Sequence, residues 1–100
     1  MDETFTCSIW AVKAGEEDSF LEAFHRFADA ATRNFGARKG MILRDTEDPT
    51  RFIVIRRWES AESLLSWAES EEMRALGEPV RSLVTGDAAA YITAKVADLG

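Results

Sequence analysis

The residues from Phe5 to Val12 leave a β-strand no polar side. Phe5, Cys7, Ile9 and Ala11 form one alternating set, Thr6, Ser8, Trp10 and Val12 the other, and both are largely apolar. Successive strand residues point to opposite faces of a sheet, so this strand has to be covered on both faces. A chain of 100 residues can lay its own helices on one face. Domains of this size bury only roughly 60–70% of their unfolded surface, and a second subunit is the simplest cover for the other face.

The rest of the chain supplies the helices and partner strands. Gly15 ends the first strand, and Glu16, Glu17 and Asp18 put negative charge where a helix N-terminus favours it. Phe20, Leu21, Phe24, Phe27, Ala28, Ala31 and Phe35 recur at helical spacing, with Gly36 as the stop. Met41 to Arg44 reads as a short strand, Asp45 to Pro49 as a turn, and Arg51 to Trp58 as a strong strand, the two strands pairing as a hairpin. Ser60 caps a helix whose buried side is Ala61, Leu64, Leu65, Trp67 and Ala68. Ser70 restarts a helix that turns Met73 and Leu76 inward, Gly77 interrupts it, and Pro79 begins another turn carrying Val80, Leu83 and Val84. Ala88 to Val96 forms a last strand around Tyr91 and Ile92. The order β-α-β-β-α(α)-β makes residues 1–100 a single α+β domain, a ferredoxin-like split βαβ with an antiparallel sheet. Its second sheet face predicts a sheet-on-sheet homodimer.

Charge and cysteine content exclude several functions. The net charge is −6 and only Arg56 and Arg57 are adjacent arginines, so no basic stripe exists for a nucleic acid or an anionic membrane. Cys7 is the sole cysteine, which rules out an intrachain disulfide and a cysteine-built zinc site. It sits mid-strand as a core thiol. The opening MDETFTCSIW lacks a basic region and a long apolar run, so a cytoplasmic protein is expected. The acidic clusters read as helix starts, no metal-ligand pattern is present, and neither a phosphate loop nor a nucleophile elbow occurs. Ala- and Arg-rich usage suggests a bacterial origin.

Three stretches carry a family resemblance: a β-rich opening running into VKAGEEDSFLEAF, the hairpin MILRDTEDPTRFIVIRRWES, and SWAESEEMRAL after it. In these the chain resembles the antibiotic biosynthesis monooxygenase superfamily, the dimeric α+β barrels, from about Phe5 to Val96. The resemblance implies a pocket between helices and sheet. It also implies one of several activities: cofactor-free oxidation of aromatic polyketides, quinol oxidation, or haem degradation. For haem degradation Trp67 matches the pocket tryptophan, but Ser8 stands at an asparagine position and Gly77 where the iron-ligating histidine belongs. That branch is disfavoured. The polyketide branch shares the tryptophan at Trp67, while Ser63 and Met73 replace its asparagine and tyrosine companions; quinol oxygenases often carry histidine at the Trp67 position.

The leading expectation is a cofactor-independent monooxygenase that uses O₂ on an electron-rich aromatic such as a hydroquinone, naphthol or anthrone. His25 would take the proton, since an imidazole titrates near neutrality. Trp67 would hold the ring beside it. Trp10, Phe24 and Met73 would form apolar walls, and Ser8 and Ser63 would supply hydrogen bonds; no metal site is expected. Simpler readings compete at each position. Trp67 also suits core packing, His25 also suits a boundary residue meeting water, Trp10 also suits a dimer core, and Trp58 suits a strand-end packing position. Tyr91 and Arg57 are further candidates to stabilise a phenolate. The alternative function is a dimer that binds a small molecule without turnover.

Overall fold

The computed structural model describes residues 3–100; Met1 and Asp2, the start of the N-terminal stretch considered above, lie outside the described residues. Seven elements form a four-stranded antiparallel sheet with three helices: β1 (Thr4–Ala11), α1 (Glu17–Asn34), β2 (Ala37–Arg44), β3 (Arg51–Trp58), α2 (Ala61–Ala68), α3 (Glu71–Arg81) and β4 (Ala89–Ala94). The strand order is β2-β3-β1-β4, which puts the doubly apolar β1 in the interior of the sheet. Its residues pair with β3 on one side, Ser8 opposite Val54, and with β4 on the other, Ser8 opposite Ala90.

The helices lie on one face only. Trp10 meets Phe20 and Phe24 of α1, so the set Thr6, Ser8 and Trp10 is the helix-facing side. Phe52, Val54, Arg56 and Trp58 share that side on β3 through the register. Phe5, Cys7 and Ile9 face the other way, beside Ile53, Ile55, Met41, Leu43 and Tyr91. Among the described residues nothing covers that face: Met41, Leu43 and Tyr91 are 57%, 42% and 57% exposed.

Capping follows the sequence. Ser60 accepts from the Ser63 N–H and Ser70 from the Met73 N–H, each satisfying an otherwise orphaned donor of the first turn. Gly36 has φ of +76°, ending α1 in the left-handed region.

Three boundaries differ from expectation. β2 begins at Ala37, four residues before Met41, with an irregularity between Ala37 and Gly40. Ala37 and Gly40 pair with Trp58 and Arg56 of β3, Arg38 and Lys39 form the irregularity between them, and charged residues suit an edge strand that must not pair further. β4 stops at Ala94 and every residue of it is exposed. Helix α3 runs unbroken through Gly77 and Pro79. Pro79 removes one N–H, but Val80 is fully buried against the core and Gly77 is buried beneath Phe27 and Arg81. Tertiary burial outweighs local propensity here.

Candidate functional site

Two hollows flank α1. The first, about 520 Å³, lies between the helix-facing sides of β1, β3 and β4 and the helices, with Ser8, Trp10, Phe24, Trp67 and Met73 on its lining. An unbroken run of aromatic rings forms its wall. Trp10 meets Phe24 at 5.5 Å between centroids, Phe24 meets Phe27 at 5.5 Å, Phe27 meets Trp67 at 5.2 Å, and Phe35 backs Trp67 at 5.2 Å. Phe24 and Phe27 lie one turn apart on α1, so the two tryptophans stand at the ends of this wall rather than directly opposed.

The three indole groups differ. Trp10 Nε1 donates to Ser8 Oγ at 2.8 Å, and Trp58 Nε1 donates to Thr6 Oγ1 at 3.0 Å. Among the described residues the Trp67 N–H has no protein acceptor, yet it is not a sealed, unsatisfied group. Trp67 is itself 6% exposed, so it is at once a core residue and a cavity residue with a free donor. Trp58 lines the inner wall and is equally buried, which joins its packing role to the site.

Two of the residues proposed from sequence fall elsewhere. His25 is exposed and lines the second hollow, about 650 Å³, between α1 and the β2–β3 hairpin. One residue along a helix is a turn of about 100°, which carries the imidazole past Phe24 to the outer side. His25 and Trp67 therefore do not share a site. Ser63 faces the start of α2: its hydroxyl accepts from Ser60 Oγ at 3.1 Å and lies 2.9 Å from where a Cβ on Gly36 would stand. Tyr91 and Arg57 belong to the open sheet face and its edge; Tyr91 pairs with Cys7, and Arg57 meets Glu3 at 3.5 Å.

Arg56 is the residue that sequence reasoning passed over. It lines both hollows and is half-buried. Its Nη1 donates to the Ala28 carbonyl at 3.0 Å, Nε to the Arg38 carbonyl at 3.1 Å, and Nη2 to Thr32 Oγ1. Burial pushes its pKa down, partly offset by the charge of Asp29. Strand parity could have found it: Phe52, Val54, Arg56 and Trp58 alternate on one side, so a guanidinium falls among residues facing the helices. Gly40 sits opposite Arg56, and a Cβ there would lie 3.2 Å from the arginine's Cβ.

At the mouth of the first hollow stand Arg81, which donates to the Arg74 carbonyl at 2.9 Å, and Asp87. The arrangement can hold a flat ring against aromatic walls, offer it hydroxyl and indole groups, and favour a negative charge beside Arg56. Among the described residues no group of three or more His, Cys, Asp or Glu is placed to hold a metal, and no helix is long and apolar enough to cross a membrane.

Comparison with known proteins gives a consistent result. The family model described as antibiotic biosynthesis monooxygenase matches residues 8–78. Protein SchA of Streptomyces halstedii is 29% identical over 75 residues, and the 42.8 kDa protein in the whiE locus of Streptomyces coelicolor is 30% identical over 73 residues. These stretches are 75% and 73% of this chain but 20% and 18% of the relatives, so the chain spans about a fifth of the length of the curated relatives it matches. The fold is that of SnoaB, a cofactor-independent oxygenase from Streptomyces nogalater, in a mutant form: TM-score 0.88, 18% identity, covering 99% of this chain and 98% of that one. A conserved protein from Methanosarcina mazei aligns at TM-score 0.84 and 14% identity over 96% of this chain and 95% of its own.

Proposed function

The chain belongs to the antibiotic biosynthesis monooxygenase family, and from that premise we propose that it is a cofactor-independent monooxygenase acting with O₂ on an electron-rich aromatic, such as a hydroquinone, naphthol or anthrone. The observation that carries the reading is the aromatic wall of the first hollow, with the Trp67 indole N–H free at one end and the Arg56 guanidinium on the lining. The description of SnoaB as cofactor-independent supports a reaction without a cofactor.

The substrate ring lies along Trp10, Phe24 and Trp67, with Met73 closing the apolar wall. Its hydroxyl or activated C–H loses a proton, passed to Asp87 at the mouth and on to solvent, and Arg56 and the Trp67 N–H favour the resulting anion. The anion gives one electron to O₂; the two radicals combine to a peroxide, which is protonated and loses water to leave the quinone. One O₂ is consumed, one oxygen atom enters the product and one leaves as water. The walls keep the radical pair together and exclude bulk water.

The open sheet face completes the assembly. Met41, Leu43 and Tyr91, with the half-buried Phe5, Ile9, Ile53 and Ile55, form a contiguous apolar surface that a second copy covers sheet to sheet. The expected home is the cytoplasm of a bacterium.

The test is O₂ uptake by metal-stripped protein supplied with a panel of hydroquinones, naphthols and anthrones. The expected result is uptake with equimolar quinone above the uncatalysed rate, unchanged in His25→Ala. A binding module without turnover is the second reading, favoured by the turning away of Ser63 and the thioether of Met73 on the wall. A folded protein that takes up no O₂ across the panel supports that one.

A further inference from the structure

The second hollow has a chemistry of its own. Its floor is apolar, from Leu21, Phe24, Ile42 and Phe52, and a cation stands towards each end of it: Arg44 and Arg56. Arg44 lies beside Phe52 in the register and Arg56 beside Gly40, so four strand positions separate them, about 13 Å along the hairpin. Arg44 holds its guanidinium 4.7 Å over the Phe52 ring. Arg56 is fixed by the carbonyls of Ala28 and Arg38. Among the described residues neither arginine forms an ion pair, whereas Arg26, Arg38, Arg57 and Arg74 all do.

Neither is fully matched by a carboxylate: the charge of Asp29 acts on Arg56 without an ion pair. The chain carries a net charge of −6, and among the described residues Asp29 is the one carboxylate on this lining, against Arg44 and Arg56. A guanidinium held in a partly desolvated wall is preorganised for a carboxylate, which its planar fork can grip with two parallel hydrogen bonds. Arg56 has such hydrogens to spare, because Nη1 and Nη2 each make one hydrogen bond within the protein and each carries two hydrogens. Between the cations lies an apolar slot in a hollow of about 650 Å³, within the range of small-molecule sites.

We propose that this hollow is a second binding site, for an elongated planar aromatic acid with an anionic group at each end. One carboxylate sits on Arg56, the ring system lies over Leu21, Phe24 and Ile42, and the second carboxylate reaches Arg44. The hollow shares Phe24 and Arg56 with the proposed oxygenase site but lacks Trp67 and Met73, and binding there requires no turnover.

The probe is naphthalene-2,6-dicarboxylate, titrated into the full chain and followed by backbone amide and indole N–H chemical shifts. Comparison ligands are naphthalene-2-carboxylate and the neutral 2,6-dicarboxamide, and the variant is Arg44→Gln, a change at an exposed side chain that leaves the strand hydrogen bonds in place. We expect saturable shifts over Leu21 to Asp29 and Gly40 to Arg44, with the diacid at least about tenfold tighter than the diamide. Arg44→Gln should weaken the diacid about tenfold and leave the monoacid within about twofold. Shifts centred on the Trp67 indole would place the ligand in the first hollow and overturn the proposal. So would equal affinity for the diamide, an unchanged diacid in Arg44→Gln with its melting temperature retained, or no saturable shift.

Discussion

Replacing Trp67 by Phe separates packing from chemistry, provided both consequences are measured. Trp67 is 6% exposed and its ring is gripped by Phe27 and Phe35, each at 5.2 Å. Phenylalanine keeps one six-membered ring and removes about three buried heavy atoms, a loss of about 2 kcal/mol at about 0.8 kcal/mol per buried carbon. For a domain of this size that lowers Tm by about 8–16 °C. A domain with about 5 kcal/mol of stability would still be unfolded in less than about 1% of molecules at 25 °C after that loss, so unfolding alone leaves the rate there untouched. The variant also deletes the one indole N–H that, among the described residues, no protein acceptor occupies. Losing a positioned donor to a developing anion costs about 10²–10³ in kcat. The assay is therefore kcat and KM for quinone formation at 25 °C beside a thermal melt. A rate within about threefold of the parent, together with the expected fall in Tm, would refute the catalytic assignment and leave Trp67 as packing alone.

Gly40→Ala should destabilise the protein: the new Cβ would lie 2.5 Å from the Ile55 carbonyl oxygen and 3.1 Å from Arg56 Cα, backbone atoms that cannot swing aside. Overpacking of about 1–3 kcal/mol exceeds the entropic gain of about 0.4–1 kcal/mol, and urea denaturation reads the difference. Leu43→Glu, on the open sheet face, should convert the proposed dimer to a monomer in light scattering without loss of helical circular dichroism; an unchanged mass would refute a sheet-to-sheet dimer. The Glu3 carboxyl is held below its ordinary 4.5, first by its hydrogen bond from Lys95 and by that lysine's charge, with a lesser share from Arg57. A lowered native value means that the contribution to stability is present above the ordinary value and disappears as pH falls through the native one. An NMR titration should find Glu3 below 4.5 and closer to it in Lys95→Met.

Much of this molecule is written locally. The two apolar sets of β1 marked it as a strand with no polar face, and the run Arg51–Trp58 is bounded in the structure as its composition predicts. Ser60 and Ser70 cap the helices that their positions announce. Such features depend on neighbours within a few residues, through side-chain parity, helical period and the orphan N–H groups of a first turn. Phe24, Trp67 and Met73 were legible as inward-turned residues of their helices, because apolar periodicity puts them on the buried sides.

What remained was decided by contacts between distant segments. Ala37 and Gly40 extend β2 only because β3 offers them partners in Trp58 and Arg56, and Pro79 stays helical only because Val80 is buried beside it. Periodicity shows that β1 has two apolar faces but not which of them meets the helices; the contact of Trp10 with Phe20 and Phe24 settles that. The same holds for the site. α1 lies between two hollows, with His25 on the lining of one, Trp67 on that of the other and Arg56 on both. How a helix seats on a sheet is a property of two packed surfaces, and no single stretch of chain contains it.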